Sequence, residues 1–204
     1  MAPSPPRLPE LRLTIRVQGR HPRFFRKQVR KPERSLPAGG LVFVRDREGR
    51  PVGTGFYNPR SQIALRLIDR GPEPVGPDRV PLPLARAIDL REGSLGLDRD
   101  GDAHRLVHAE GDGIPGLVLD RLGDCLVAQV LAKGIEPLLE DLGEALASPL
   151  PRGRPRAPGR RRGPRLARAS SAASSPPVGQ RWIREDGLGA PRRPGPGHKT
   201  GFFW

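Results

Sequence analysis

Residues able to do chemistry are sparse, and the densest group is His104, His108, Glu110 and Asp112. Imidazoles and carboxylates at close spacing can ligate a metal ion. Here, however, the surrounding residues read as strand, where side chains four positions apart stand ~13 Å from one another. That is too far to share an ion, so no metal site is expected. Cys125 is the one cysteine, set between "LGD" and "LVAQVL". It has no basic neighbour to favour the thiolate, so a buried, inert thiol is expected rather than a nucleophile. A single cysteine also excludes an intramolecular disulfide and a Cys-based zinc site, which suits a reducing compartment. "GTGFYN" (53–58) contains Gly-x-Gly, but Pro59 follows directly and stops the helix that a dinucleotide fold requires. "GPGHKT" fails as a phosphate loop because His198 separates Gly197 from Lys199. "DRDGDA" fails as a calcium loop because Ala103 and Ala109 stand where Gly and Glu are needed. No complete active site emerges from the residues.

What remains is a basic and aromatic run, "RHPRFFRKQVRK". Arg20, His21, Arg23, Arg26, Lys27, Arg30 and Lys31 flank Phe24 and Phe25. Cations hold phosphates and exposed rings stack unpaired bases, so this combination suits single-stranded or structured RNA. The competing reading puts both phenylalanines in a core and leaves the charges as a solvated face. Composition alone does not choose between them.

The elements that must position these groups follow from periodicity. Residues 8–18 alternate Leu11, Leu13, Ile15 and Val17 with polar residues, as in a strand with one wet face. "GGLVFVRDREGRPVGTGFYNPRSQIALRLIDR" reads as a three-strand meander broken at "DREG" and "NPRS". Short strands and tight turns predict a small barrel over 8–72. Helical spacing over 80–97 predicts a short helix. "HRLVHAEGDGIPGLVLDRLGDCLVAQVL" then supplies further strands, and 135–147 place Leu138, Leu139, Leu142 and Leu146 on one helical face. The stretch 80–147 is therefore expected to be a second, α/β unit, and the fold class α+β.

Charge divides the chain again. The net charge is +14, yet residues 145–184 carry ten Arg and no Asp or Glu, leaving only +4 for the rest. The 148–180 segment is nearly all Pro, Arg, Gly, Ala and Ser and is expected to stay disordered, because it has too little apolar surface to offset ordering entropy. No apolar run approaches the ~18–20 residues that cross a bilayer. A cytoplasmic location is the expectation.

Taken in order, "GRHPRFFRKQV", "LPAGGLVFVRDREGRPVGTGFYNPRSQIALRLI", "RLVHAEGDGIPGLVLDRLGDCLVAQVL", "IREDGL" and "HKTGFF" resemble the bacterial large-subunit ribosomal RNA cytosine-C5 methyltransferases that begin with a PUA domain. The resemblance covers residues 10–147 nearly continuously, then 182–188 and 197–203. It implies an RNA-binding PUA barrel, a middle α/β domain, and a later Rossmann-like domain that binds S-adenosylmethionine and attacks cytosine with a cysteine. Lys199, Thr200, Gly201 and Phe203 match residues that line the family's cofactor pocket, so 181–204 reads as a remnant leading into a methyltransferase domain. Arg23 stands where the family usually has Trp. The acid-free 148–180 text matches nothing in the family and has the character of GC-rich DNA read out of frame. The resemblance thus implies ribosomal RNA as partner and a fragment that neither binds the cofactor nor methylates by itself. The alternatives are half of a split enzyme and a frameshifted, non-functional product.

Overall fold

The alternation that opens the chain forms less strand than its length predicts. In the computed structural model, which describes residues 7–79, 81–123, 125–139, 165–169, 181–185 and 188–192, strand β1 covers only Glu10–Arg12. Leu13 makes an isolated antiparallel bridge to Val29, and the chain bends at residues 14–15. Leu11 and Leu13 are buried, while Ile15 and Val17 pack only partly against the same cluster. The expected strand is therefore truncated once its inward residues reach the edge of the core.

The meander forms as its turn residues direct: β3 (Gly40–Arg45), β4 (Pro51–Tyr57) and β5 (Ile63–Asp69) pair antiparallel in sequence. With β2 (Arg23–Phe25), they form a five-stranded sheet of order β1-β3-β4-β5-β2, in which β1 runs parallel to β3. Beyond β2, the Arg26–Gln28 3-10 turn carries the chain to Val29, where Thr14 N donates to Gln28 O and Arg30 N donates to Arg12 O. Those two bonds tie the outer strands of the sheet together through the Leu13–Val29 bridge. The enclosed side chains are Leu11, Leu13, Phe24, Val42, Val44, Val52, Tyr57, Ala64, Leu65 and Leu67. Each large aliphatic or aromatic side chain so buried contributes roughly 1.5–3 kcal/mol of hydrophobic stabilisation.

Asp46 organises the β3–β4 turn. Its Oδ1 accepts from the backbone N–H of Glu48 and Arg50, and its Oδ2 accepts from Arg50 Nε and Nη2, while Gly49 takes positive φ. Burial pushes this carboxyl up, but the hydrogen bonds from Arg50 and Glu48 outweigh it and hold the group below the usual carboxylate range. A depressed folded-state value means stability that is complete above the unfolded pKa of about 3.9 and lost as pH falls through the lower folded value. Thermal unfolding of wild type and Asp46→Asn should therefore differ at neutral pH and converge below about pH 4. A gap that stays constant down to strongly acid pH would show that the carboxylate charge is irrelevant to the turn.

Two compact units partition the chain. The first contains the residues up to Ala85 together with Ala109–Gly116 and Leu131–Glu136, two insertions from later sequence. Ile114 and Ile135 in those insertions are fully buried, and Leu131 N donates to Gly116 O. Thr54, also buried, accepts from Val75 N through its hydroxyl, which anchors the chain leaving β5. The five strands of the sheet lie within 8–72, and the first unit adds the two later insertions to them.

The predicted 80–97 helix is α1 (Pro81–Ile88), whose residues up to Ala85 belong to the first unit; from Arg86 on, in the second unit, it is followed by a π-helical turn at Asp89–Ser94 and a short α2 (Leu97–Asp100). Strands β6 (Ala103–His108), β7 (Leu117–Leu122) and β8 (Cys125–Val130) pair antiparallel. A fourth strand, β9 (Arg165–Ala169), pairs parallel with β8. That strand corrects the expectation that 148–180 is disordered throughout: main-chain groups can extend an open sheet edge without an apolar side-chain pattern. The remainder of 148–180 lies outside the described residues. A hairpin of β10 (Arg181–Glu185) and β11 (Leu188–Arg192) follows. Of the helix predicted over 135–147, the described part is a 3-10 turn at Lys133–Leu138 interrupted by Pro137; residues 140–147 lie outside the described residues.

Among the described residues no helix is long and apolar enough to cross a membrane.

Candidate nucleic-acid interface

The basic run occupies the sheet's outer strand and the turn that follows it. Pairing of β2 with β5 sets Arg23 opposite Arg66 and Phe24 opposite Leu65. The chain reaches β2 along a pinned path: Leu67 N donates to Pro22 O, Arg70 Nη2 donates to His21 O at 2.7 Å, and His21 Nδ1 accepts from Arg23 N–H. After β2, the Gln28 side chain accepts from Phe25 N at 2.8 Å and Arg26 N donates to Gln62 O. These bonds hold the 3-10 turn on which Arg26 and Lys27 are both exposed.

The two phenylalanines part company. Phe24 is 5% exposed and belongs to the core, so its ring offers no face to a base. Phe25 is 49% exposed. Strand alternation sends neighbours to opposite faces, which is why one aromatic of the pair is structural and the other available. The sequence reading that treats both alike is corrected here for Phe24.

Arg20, Arg26, Lys27, Arg30 and Lys31 are exposed, and none has a carboxylate partner among the described residues. Burial lowers the Arg70 guanidinium, and the positive charge of Arg20 beside it lowers it further. Arg66 behaves similarly: burial lowers it, Glu110 opposes that, and Arg23 adds to the lowering. The like charges of Arg20 and Arg70 favour an anion beside them, whereas Glu110 offsets the Arg23–Arg66 pair. The side chains of Arg66 and Glu110 are 12% and 22% exposed, with Arg66 Nη1 to Glu110 Oε1 at 2.7 Å. Arg23, 40% exposed, places Nε 3.6 Å from the same oxygen. Arg66, Arg70 and Glu110 are the members of this face that the sequence reading does not single out as such. The legible signal was Arg66, a charge embedded in the apolar run "IALRLI".

Beside Arg66, the first unit has a hollow of about 20 Å³ lined in part by Asn58, Ser61, Ile63 and Lys133. That is room for about one water molecule. A base would meet Phe25 at the surface rather than enter a pocket.

Other sequence candidates do not assemble. His104 and His108 share strand β6. His104 is largely buried beside Glu92, which accepts from Arg121 Nη1 at 2.7 Å, while His108 is exposed near Arg105. Glu110 is engaged with arginines, and no group of three metal-ligating side chains gathers among the described residues. Lys199, Thr200, Gly201 and Phe203 lie outside the described residues.

Residues 13–70 match the family model of a PUA-like domain. The chain is 33% identical over 159 residues to a ribosomal RNA large subunit methyltransferase from Deinococcus radiodurans, covering 74% of this chain and 38% of that protein. It is 34% identical over 131 residues to ribosomal RNA large subunit methyltransferase I from Vibrio cholerae, covering 64% of this chain and 32% of that protein. The chain spans about a third of the length of the curated relatives it matches. Among solved structures, a chain assigned as a SAM-dependent methyltransferase from Streptococcus mutans superposes with a TM-score of 0.59 at 14% identity, covering 83% of this chain and 44% of that one. At that identity the likeness concerns the fold.

Proposed function

We propose that the first unit is a PUA-type RNA-binding barrel and that its face carrying Arg20, His21, Arg23, Arg26, Lys27 and Arg30 captures ribosomal RNA for cytosine-C5 methylation by S-adenosylmethionine. One observation carries this reading: five exposed cations without carboxylate partners flank an exposed phenylalanine, within the segment that matches a PUA-like domain. In this reading Arg20, Arg26, Lys27 and Arg30 hold phosphates, and Phe25 replaces Phe24 as the stacking ring. The relatives' names support large-subunit ribosomal RNA as the substrate and methyl transfer as the reaction. Lys199, Thr200, Gly201 and Phe203 are assigned by resemblance to one wall of the cofactor pocket. In this reading these 204 residues supply RNA capture, and the methyl-transfer chemistry is not assigned to them.

The test is titration of the purified chain with large-subunit ribosomal RNA fragments at several salt concentrations, alongside a methyl-transfer assay with labelled S-adenosylmethionine. Four phosphate contacts predict an affinity that falls roughly 50-fold between about 50 and 200 mM salt, a log–log slope near −2.8. Methyl transfer by the chain alone is expected to be absent. Binding that is absent or indifferent to salt would overturn the assignment of the face, and turnover by the chain alone would overturn the division of labour.

A further inference from the structure

Arg23 and Arg66 stand directly opposite each other on β2 and β5. Like charges so placed on a sheet repel and destabilise the pairing. Glu110 resolves the conflict by accepting from Arg66 Nη1 at 2.7 Å and lying 3.6 Å from Arg23 Nε. It comes from one of the insertions into the first unit, just after Ala109, the one non-glycine residue with positive φ among the described residues (φ 43°). The turn is held by bonds from Gly113 N to Glu110 O and from Ile114 N to Ala109 O. A carboxylate bridging two arginines occupies the place that a phosphate would take on them. Asp112 shares its 3-10 turn, and the charged groups that Glu110 itself meets are the cations Arg23 and Arg66.

We propose that Glu110 is a specificity-determining residue of this interface: a built-in substitute for phosphate that holds Arg23 and Arg66 in reserve and lowers the affinity of the face for polyanions in general. This rests on the reading of the face as an RNA site. An RNA that merely supplies charge is held by the outer cations Arg20, Arg26, Lys27 and Arg30. An RNA shaped to place a phosphate beside Arg23 must displace the weaker of Glu110's two pairings, at 3.6 Å, while Arg66 keeps the stronger one. The face thereby favours RNAs of the right shape over those of sufficient charge, a discrimination made by repulsion as well as by attraction.

The experiment measures binding of the full chain to an unstructured RNA oligonucleotide, as a probe of charge alone, across salt concentration. Glu110→Gln keeps an acceptor for Arg66 but removes the charge. It should tighten binding roughly eightfold at about 50 mM salt and steepen the log–log slope by about 0.7, the signature of one additional phosphate contact. Adding Arg23→Met to Glu110→Gln should abolish that gain. Should Arg66 prove unable to tolerate loss of its partner charge, Glu110→Gln with Arg66→Met removes the buried cation too and should still steepen the slope by about 0.7 through Arg23. A slope unchanged in both backgrounds, with the protein folded, overturns the proposal and leaves Glu110 a structural bridge, while the salt-dependent binding of wild type keeps the RNA reading intact. Wild type that binds no RNA overturns both.

Discussion

Replacing Arg26, Lys27 and Arg30 together by alanine is expected to weaken RNA binding roughly 500-fold at about 50 mM salt and roughly 50-fold at about 150 mM, and to make the salt slope shallower by about 2. The figures follow from counterion release: each phosphate contact to a single strand contributes about 0.7 to the slope, and the contribution to affinity shrinks as salt approaches molar concentration. All three side chains are exposed and none has a carboxylate partner among the described residues, so no competing ion pair must be broken before they meet a phosphate. The backbone bonds that shape the turn, Arg26 N to Gln62 O and Arg30 N to Arg12 O, do not involve the side chains removed. The fold should therefore survive, which amide hydrogen exchange checks directly. Filter binding or fluorescence anisotropy of the triple variant against wild type decides the matter. If affinity drops less than about threefold at low salt, these cations are a solvated edge that deters strand-to-strand aggregation.

Gly53→Ala is expected to cost the first unit at least about 4 kcal/mol, a large share of the roughly 5–15 kcal/mol that keeps an ordinary domain folded. Gly53 lies within β4 at φ 141°, a conformation L-residues rarely adopt, and a Cβ there would overlap the Asp69 carbonyl oxygen of β5. The obstruction is backbone, and β4 is held between β3 and β5, so neither side can move without breaking a ladder. Gly49 makes the control. It too has positive φ (83°), in the β3–β4 turn, but a Cβ added there meets open space. Gly49→Ala should therefore cost only the conformational strain, about 1–2 kcal/mol. Hydrogen exchange at the amides of β3, β4 and β5 under increasing urea reads both values in the intact chain. Protection in Gly53→Ala within about 1 kcal/mol of Gly49→Ala would show that the close approach of β4 to β5 is wrongly placed.

Much of this molecule was legible as text because its signals are local. The β3–β4–β5 meander followed from alternation and from the breaks at "DREG" and "NPRS", where Asp46 and Gly49 close one turn and Asn58 accepts from Arg60 N in the other. The strands of the second unit were marked the same way by "EGDGIPG" and "RLGD". What failed were predictions that depended on how far a pattern can run before its partners end. The first strand stopped after Arg12, where the chain bends at residues 14–15 and Leu13 N bonds Arg45 O while Thr14 N turns to Gln28 O on the other side. The helix expected from 80 to 97 turned π-helical at Asp89.

For the candidate site, the sequence alone determined the inventory: a cationic run with two aromatics, and motifs that resemble those of ribosomal RNA methyltransferases. Tertiary structure decided which of those groups are available. Phe24 and Phe25 are adjacent and chemically identical, yet pleating buried one in the core and left the other exposed. Arg23 and Arg66 lie 43 positions apart, and strand register alone set their charges face to face. Glu110, a candidate metal ligand in the sequence, became the carboxylate between them because its segment folds into the first unit. Side-chain type is a property of the residue, but burial and charge pairing depend on groups distant in the chain, and only the folded backbone brings those within a few ångströms.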